Sequence, residues 1–159
     1  MQTPEPLPPL RPDPRLRPPR PAPAPLVPAA WGERIAWVAG LVLVVSAFTD
    51  WYVGTEPDGL SLAVTGWHTG ALGKLVFFIG LATLILEALR EAGIELPATL
   101  PESLVLIGLG ALATIFVLVR LLSVPDTYFA TTSRGVGLWI SLLSAIALIV
   151  AGLLRASEP

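Results

Sequence analysis

The chain contains no cysteine. That absence removes disulfides, thiol nucleophiles, haem attachment and cysteine metal sites in one step. Histidine is almost missing too: His68 is the only one, so a zinc or di-iron centre built on imidazoles has no ligands to start from. No metal and no cofactor is expected. Charge is also scarce. Asp, Glu, Lys and Arg make up 14% of the 159 residues, against about 25% in an ordinary soluble domain. The net charge of −2 offers no basic face for nucleic acid. What remains is apolar: 53% of residues are hydrophobic and mean hydropathy is +0.72. These residues are gathered into long runs, the pattern of a chain whose solvent is lipid.

Residues 1–30 hold twelve of the seventeen prolines, interspersed with Arg11, Arg15, Arg17 and Arg20. Proline lacks the backbone donor and fixes φ, so this stretch is expected to be a disordered, polyproline-II-like tail. Four apolar runs follow in residues 31–159, with expected spans at about 33–53, 71–90, 102–123 and 135–155. At 1.5 Å per residue, about twenty residues cross the hydrocarbon. The first run is bracketed by Trp31, Trp37 and Trp51, as membrane boundaries are. Small residues at Val45-Ser46-Ala47 also fit a signal-peptide cleavage site, but the long proline-rich leader does not suit one, and an uncleaved span is expected. In the second run Lys74 and Glu87 stand near the two ends, where snorkelling is feasible, and Arg90 lies one turn beyond Glu87. Gly93 reads as a helix C-terminal residue. Thr99-Leu-Pro-Glu102 has capping-box spacing for the next helix.

Basic residues set the orientation. Seven (Arg11, Arg15, Arg17, Arg20, Arg34, Arg90 and Arg155) fall on one side of the expected spans and three (Lys74, Arg120 and Arg134) on the other. Both termini are therefore expected in the cytoplasm of a multi-pass plasma-membrane protein. Helices in lipid associate through close approach, and each run has small residues at helical spacing: Ala36, Gly40 and Ala47; Gly73 and Gly80; Gly110 and Thr114; Gly137, Ser141, Ala145 and Gly152. The expected fold is an all-α four-transmembrane-helix bundle. The step from Gly73 through Gly80 continues to Glu87, which makes it a carboxylate on the packed face at the inner end.

The segment Phe48–Lys74 is the one stretch that is neither apolar run, proline-rich tail nor short connector. Pro57-Asp58-Gly59 is turn chemistry, and Leu60, Leu62 and Val64 alternate with Ser61, Ala63 and Thr65. A short extracytoplasmic β-hairpin within 51–70 is expected, docked on the bundle through one apolar face, with Trp51, Tyr52 and Trp67 as interfacial aromatics. Asp50, His68, Lys74 and Arg120 form a candidate outer polar cluster. No charge lies at mid-bilayer, no span contains an internal proline, and no triad, phosphate loop or metal motif is present. The expected function is therefore non-enzymatic: a structural, interaction or assembly component whose partners are membrane lipid, a protein engaged through the 51–70 hairpin or the 1–30 tail, or a second copy of the chain. The alternative is a small transporter or channel component, with Asp50, Lys74, Glu87 and Arg120 near its entrances.

Trp51-Tyr52 followed by Gly54, Thr65-Gly66-Trp67, Val124-Pro125 and Arg134-Gly135 together resemble a pattern in uncharacterised small four-span integral membrane proteins of actinobacteria. The resemblance covers about residues 35–155. It implies a bacterial plasma-membrane protein and supplies no catalytic residues. The order helix, aromatic outer segment, three helices is similar to the claudin-like arrangement in topology alone, because the paired cysteines of that pattern are missing here.

Overall fold

A computed structural model of the chain describes residues 30–55, 58–94, 101–123 and 131–157. The elements run α1 (Ala30–Ser46), β1 (Asp50–Thr55), β2 (Ser61–Thr65), a 3-10 turn (Gly66–His68), α2 (Ala71–Glu91), α3 (Glu102–Leu122), β3 (Thr131–Arg134) and α4 (Val136–Ala156). The expected tail lies outside the described residues except for Ala30, which opens α1. Thr99, Pro57 and Val124-Pro125 lie outside them too.

Three helices, α2, α3 and α4, are each 21 residues and long and apolar enough to cross a membrane. The first is shorter. The expected span 33–53 is not one helix: α1 stops at Ser46 after 17 residues, and Trp51–Val53 belong to a strand. The cause is local. Once a helix ends its last carbonyls need donors, and Ser46 O receives three: Thr49 N at 3.2 Å, Thr49 Oγ1 at 2.7 Å and Trp51 Nε1 at 2.9 Å. The chain turns there, and Asp50–Thr55, rich in Trp, Tyr, Val and Thr, suits a pleated surface.

Beyond that turn the expected hairpin forms. β1 pairs antiparallel with β2, Tyr52 opposite Val64 and Thr55 opposite Ser61, with a bulge between Asp50 and Tyr52. It is not alone, however. The segment before α4 supplies β3, which pairs antiparallel with the other edge of β1: Tyr52 opposite Arg134, Thr55 opposite Thr131. The result is a three-stranded sheet in the order β2-β1-β3. The helical bundle is thus capped by a sheet rather than decorated by a hairpin.

The helices close into a ring, α1 against α2 and α4, and α3 against α4 and α2. Small residues set how close they come. A Cβ on Gly80 would stand 3.0 Å from Gly40 O, and one on Gly110 would stand 2.8 Å from Ile149 N. The expected small-residue stripes all turn inward, with Ala36, Ala47, Ser141 and Ala145 fully buried and Thr114 half-buried. The core has two apolar clusters. One at the sheet end gathers Leu43, Trp51, Tyr52, Val76, Ile79, Ala113, Val117, Leu138 and Ala145; the other gathers Ala36, Ala39, Leu86, Leu106, Leu148 and Ala151. Outward, Val38, Leu41 and Val45 on α1, Phe78 and Ile85 on α2, Leu112 and Ile115 on α3, and Leu143 and Leu153 on α4 are exposed. At the end of α2, Gly93 takes φ +76°, and Ile94 N donates to Leu89 O at 2.9 Å. This is the six-to-one bond of a Schellman stop.

Candidate functional site

At the sheet end the structure puts the conspicuous aromatics inside. Trp51 and Tyr52 are fully buried, so they are core side chains and not interfacial anchors. Each keeps its polar tip satisfied, as buried Trp and Tyr require: Trp51 Nε1 donates to Ser46 O, and Tyr52 Oη donates to Arg120 O at 2.8 Å. Trp51 is also gripped from two sides. A Cβ on Gly66 would lie 2.5 Å from its Cε2, and one on Gly137 would lie 2.9 Å from its Cδ1. Trp67 alone of the three stays half-buried, stacked on Phe48 with ring centroids 5.6 Å apart.

The same end contains Asp50, His68, Lys74 and Arg120, but each has a different task. Arg120 Nη2 donates to Thr69 O, which ties the end of α3 to the turn that precedes α2. His68 Nδ1 meets Thr65 Oγ1 at 2.9 Å. Lys74 Nζ lies 5.5 Å from the centroid of Trp67, within cation–π range. Asp50 stands opposite Thr65 in the ladder. Among the described residues no ion pair links any of the four to another. Sequence reasoning missed Arg134, whose Nε donates to Leu121 O at 2.7 Å. Two late carbonyls of α3, Arg120 O and Leu121 O, are therefore capped by side chains from β1 and β3. Arg134 adds a cation at the negative end of the helix dipole.

The opposite end of the bundle holds a charged knot. Glu87 is fully buried, and its Oε2 accepts from Arg155 Nη2 at 2.5 Å; the Arg155 side chain is 5% exposed. Arg155 Nη1 also lies 3.9 Å from Glu102 Oε2, which in turn lies 3.4 Å from Arg90 Nη1. The partner of Glu87 is thus Arg155 on α4; Arg90, one turn away on α2, is engaged with α3 instead. Dipole logic favours this arrangement. Glu102 sits in the first turn of α3, and Arg90 and Arg155 sit in the last turns of α2 and α4. Glu87, near the negative end of its helix, is the group that needs a cation. The pair also spans a diagonal, since α2 and α4 are not neighbours in the ring. Nearby, Trp37 Nε1 donates to Glu91 Oε1 at 2.9 Å, pinning α1 to α2. Glu87 Oε1, Arg155 Nε and Arg155 Nη1 are buried with no hydrogen-bond partner among the described residues.

Other buried hydroxyls serve the packing. Ser141 Oγ bridges α4 to α1 through Ser46 Oγ at 2.8 Å, and Thr83 and Ser144 donate to carbonyls one turn back. Among the described residues no three His, Asp or Glu side chains come together as a metal site. The arrangement can hold helices in register at one end and hold a sheet rigidly at the other. Comparison with protein-family models, curated proteins and solved structures finds no match to this chain.

Proposed function

We propose that the chain is a non-enzymatic, multi-pass membrane protein that presents a braced three-stranded sheet outside a four-span bundle, as an interaction or assembly component. The observation that carries this reading is where the polar groups go. Trp51, Tyr52, Arg120 and Arg134 all bond to backbone at the sheet end, and Glu87 and Arg155 bond to each other. These six side chains hold the sheet and the helices in place. The outward helix faces are apolar, α1 included, which supports α1 as a fourth span. Its 17 residues measure about 26 Å, and the turn through Thr49 brings the chain close to the hydrocarbon thickness. The excess of basic residues beside the termini supports cytoplasmic ends in the plasma membrane, with the sheet outside.

Since the chain has no cysteine, any single-cysteine variant reports on one site. Ser61→Cys should react with a membrane-impermeant maleimide in intact cells, and Ser157→Cys should react only after lysis. The reverse pattern would overturn the orientation. Photo-crosslinking from position 62, at the exposed hairpin, should trap a partner or a second copy; no adduct there would sink the interaction role. The unmatched buried atoms of Glu87 and Arg155 favour a second reading, a small transport or channel component. Ion and solute flux that is the same in vesicles with and without the protein would remove it.

A further inference from the structure

One surface at the sheet end is used neither by the sheet nor by the core. Along the seam of α1 and α2, Phe48 stacks on Trp67, and Phe77 meets both edge-on, with centroids 5.5 and 5.3 Å away. Phe78 extends the patch, 5.4 Å from Phe77. Phe48 is 55% exposed and Phe78 is 54% exposed. Beside this wall stands Lys74, exposed, its ammonium 5.5 Å from the Trp67 centroid. Ion pairs among the described residues join only Glu87, Arg90, Glu102 and Arg155, so no described carboxylate pairs with Lys74. It also sits in the first turn of α2, where the helix dipole is positive and a cation is disfavoured. An anion is the missing complement.

We propose that this seam binds one anionic glycerophospholipid, with the acyl chain against Phe48, Phe77 and Phe78 and the phosphodiester on Lys74. The inference rests on the reading that this end of the bundle meets a bilayer boundary. Two observations favour lipid over a protein partner. The aromatic wall is continuous with the exposed apolar faces of both helices, through Val45 on α1 and Ile85 on α2, so one extended hydrocarbon chain can follow the seam. Charge complementarity then selects the headgroup. A net anionic lipid leaves its phosphate free for Lys74, whereas a choline lipid carries its own ammonium beside the phosphate. A lysine near a membrane surface favours an anionic lipid about fivefold.

The test uses the full chain in phosphatidylcholine vesicles containing a minor fraction of lipid with dibrominated acyl chains. The brominated lipid is either phosphatidylglycerol or phosphatidylcholine, and a Trp67→Phe variant isolates the Trp67 fluorescence. Brominated phosphatidylglycerol should quench Trp67 at about one-fifth the concentration that brominated phosphatidylcholine needs. Lys74→Gln should abolish that preference, and Lys74→Arg should retain it. Equal quenching by the two lipids in the wild type, or an unchanged preference in Lys74→Gln, overturns the lipid site. So does a disulfide between copies through Phe78→Cys, because a second copy would then occupy the seam. Vesicle flotation separates the two ideas. A chain that floats but shows no preference refutes the lipid site alone; a chain that does not float refutes the membrane reading along with it.

Discussion

Removing one member of the Glu87–Arg155 pair should be far more damaging than removing both. Charges buried beside each other are held at a desolvation cost, so losing one partner strands the other, typically at about 3–5 kcal/mol. The structure orders the two single variants. Arg155→Met leaves Glu87, fully buried, with no cation in ion-pair range, since Arg90 is engaged by Glu102. Glu87→Leu leaves Arg155 with Glu102 3.9 Å away and partly exposed. Arg155→Met should therefore fall at about 5 kcal/mol and Glu87→Leu at about 3 kcal/mol. The double variant restores apolar contact across the diagonal and should lie within about 1 kcal/mol of wild type, giving a coupling of several kcal/mol. Equilibrium unfolding in mixed micelles closes the cycle. High salt should leave the penalty largely intact, because buried pairs are poorly screened. A neutral interhelical hydrogen bond in a membrane is worth about 0.6 kcal/mol. If either single variant lost no more than that, or if the two losses simply added, the pair would be an ordinary contact and the reasoning would fail.

Thermal unfolding in detergent checks three further expectations. Trp51→Ala should cost about 3–5 kcal/mol through the cavity it leaves, while Trp51→Phe, which keeps most of the ring but leaves Ser46 O without the indole donor, should cost about 1–2 kcal/mol. In α3, Gly110→Ala should destabilise by about 1–3 kcal/mol because its Cβ meets the backbone of α4. Gly108→Ala, two residues away with open space around it, should be neutral or stabilise by up to about 1 kcal/mol. Tyr52→Phe should remove the hydroxyl bond to Arg120 O, at about 0.5–1.5 kcal/mol.

What could be foreseen from the sequence was whatever depends on neighbours along the chain. The inward stripes of small residues, the Gly93 stop and the β1–β2 hairpin all follow from local spacing, and they are found where spacing places them. The misses are long-range. β3 is four polar residues, TTSR, with no alternation to announce a strand; it exists because the free edge of β1 accepts it from far along the chain. Trp51 and Tyr52 read as boundary residues because they follow an apolar run, yet both are fully buried in the core, and Gly66 and Gly137 leave room for the Trp51 ring. Glu87 was legible as a packed carboxylate, but nothing close to it in sequence points to the cation it hydrogen-bonds. Arg155 is 68 positions away, and only the closing of the ring brings it there.

The central place of β1 has a consequence for how the chain is made. Its first edge pairs with β2 almost as soon as the hairpin leaves the ribosome, whereas its second edge waits for β3, and Val53 and Ser133 are 80 positions apart. At about 5–20 residues per second, that edge stays open for roughly 4–16 s while two helices are synthesised. During those seconds the unpaired edge of β1 is a template to which a strand of another chain can add. The arrival of β3, immediately ahead of the last helix, is the step that closes this edge from within the chain.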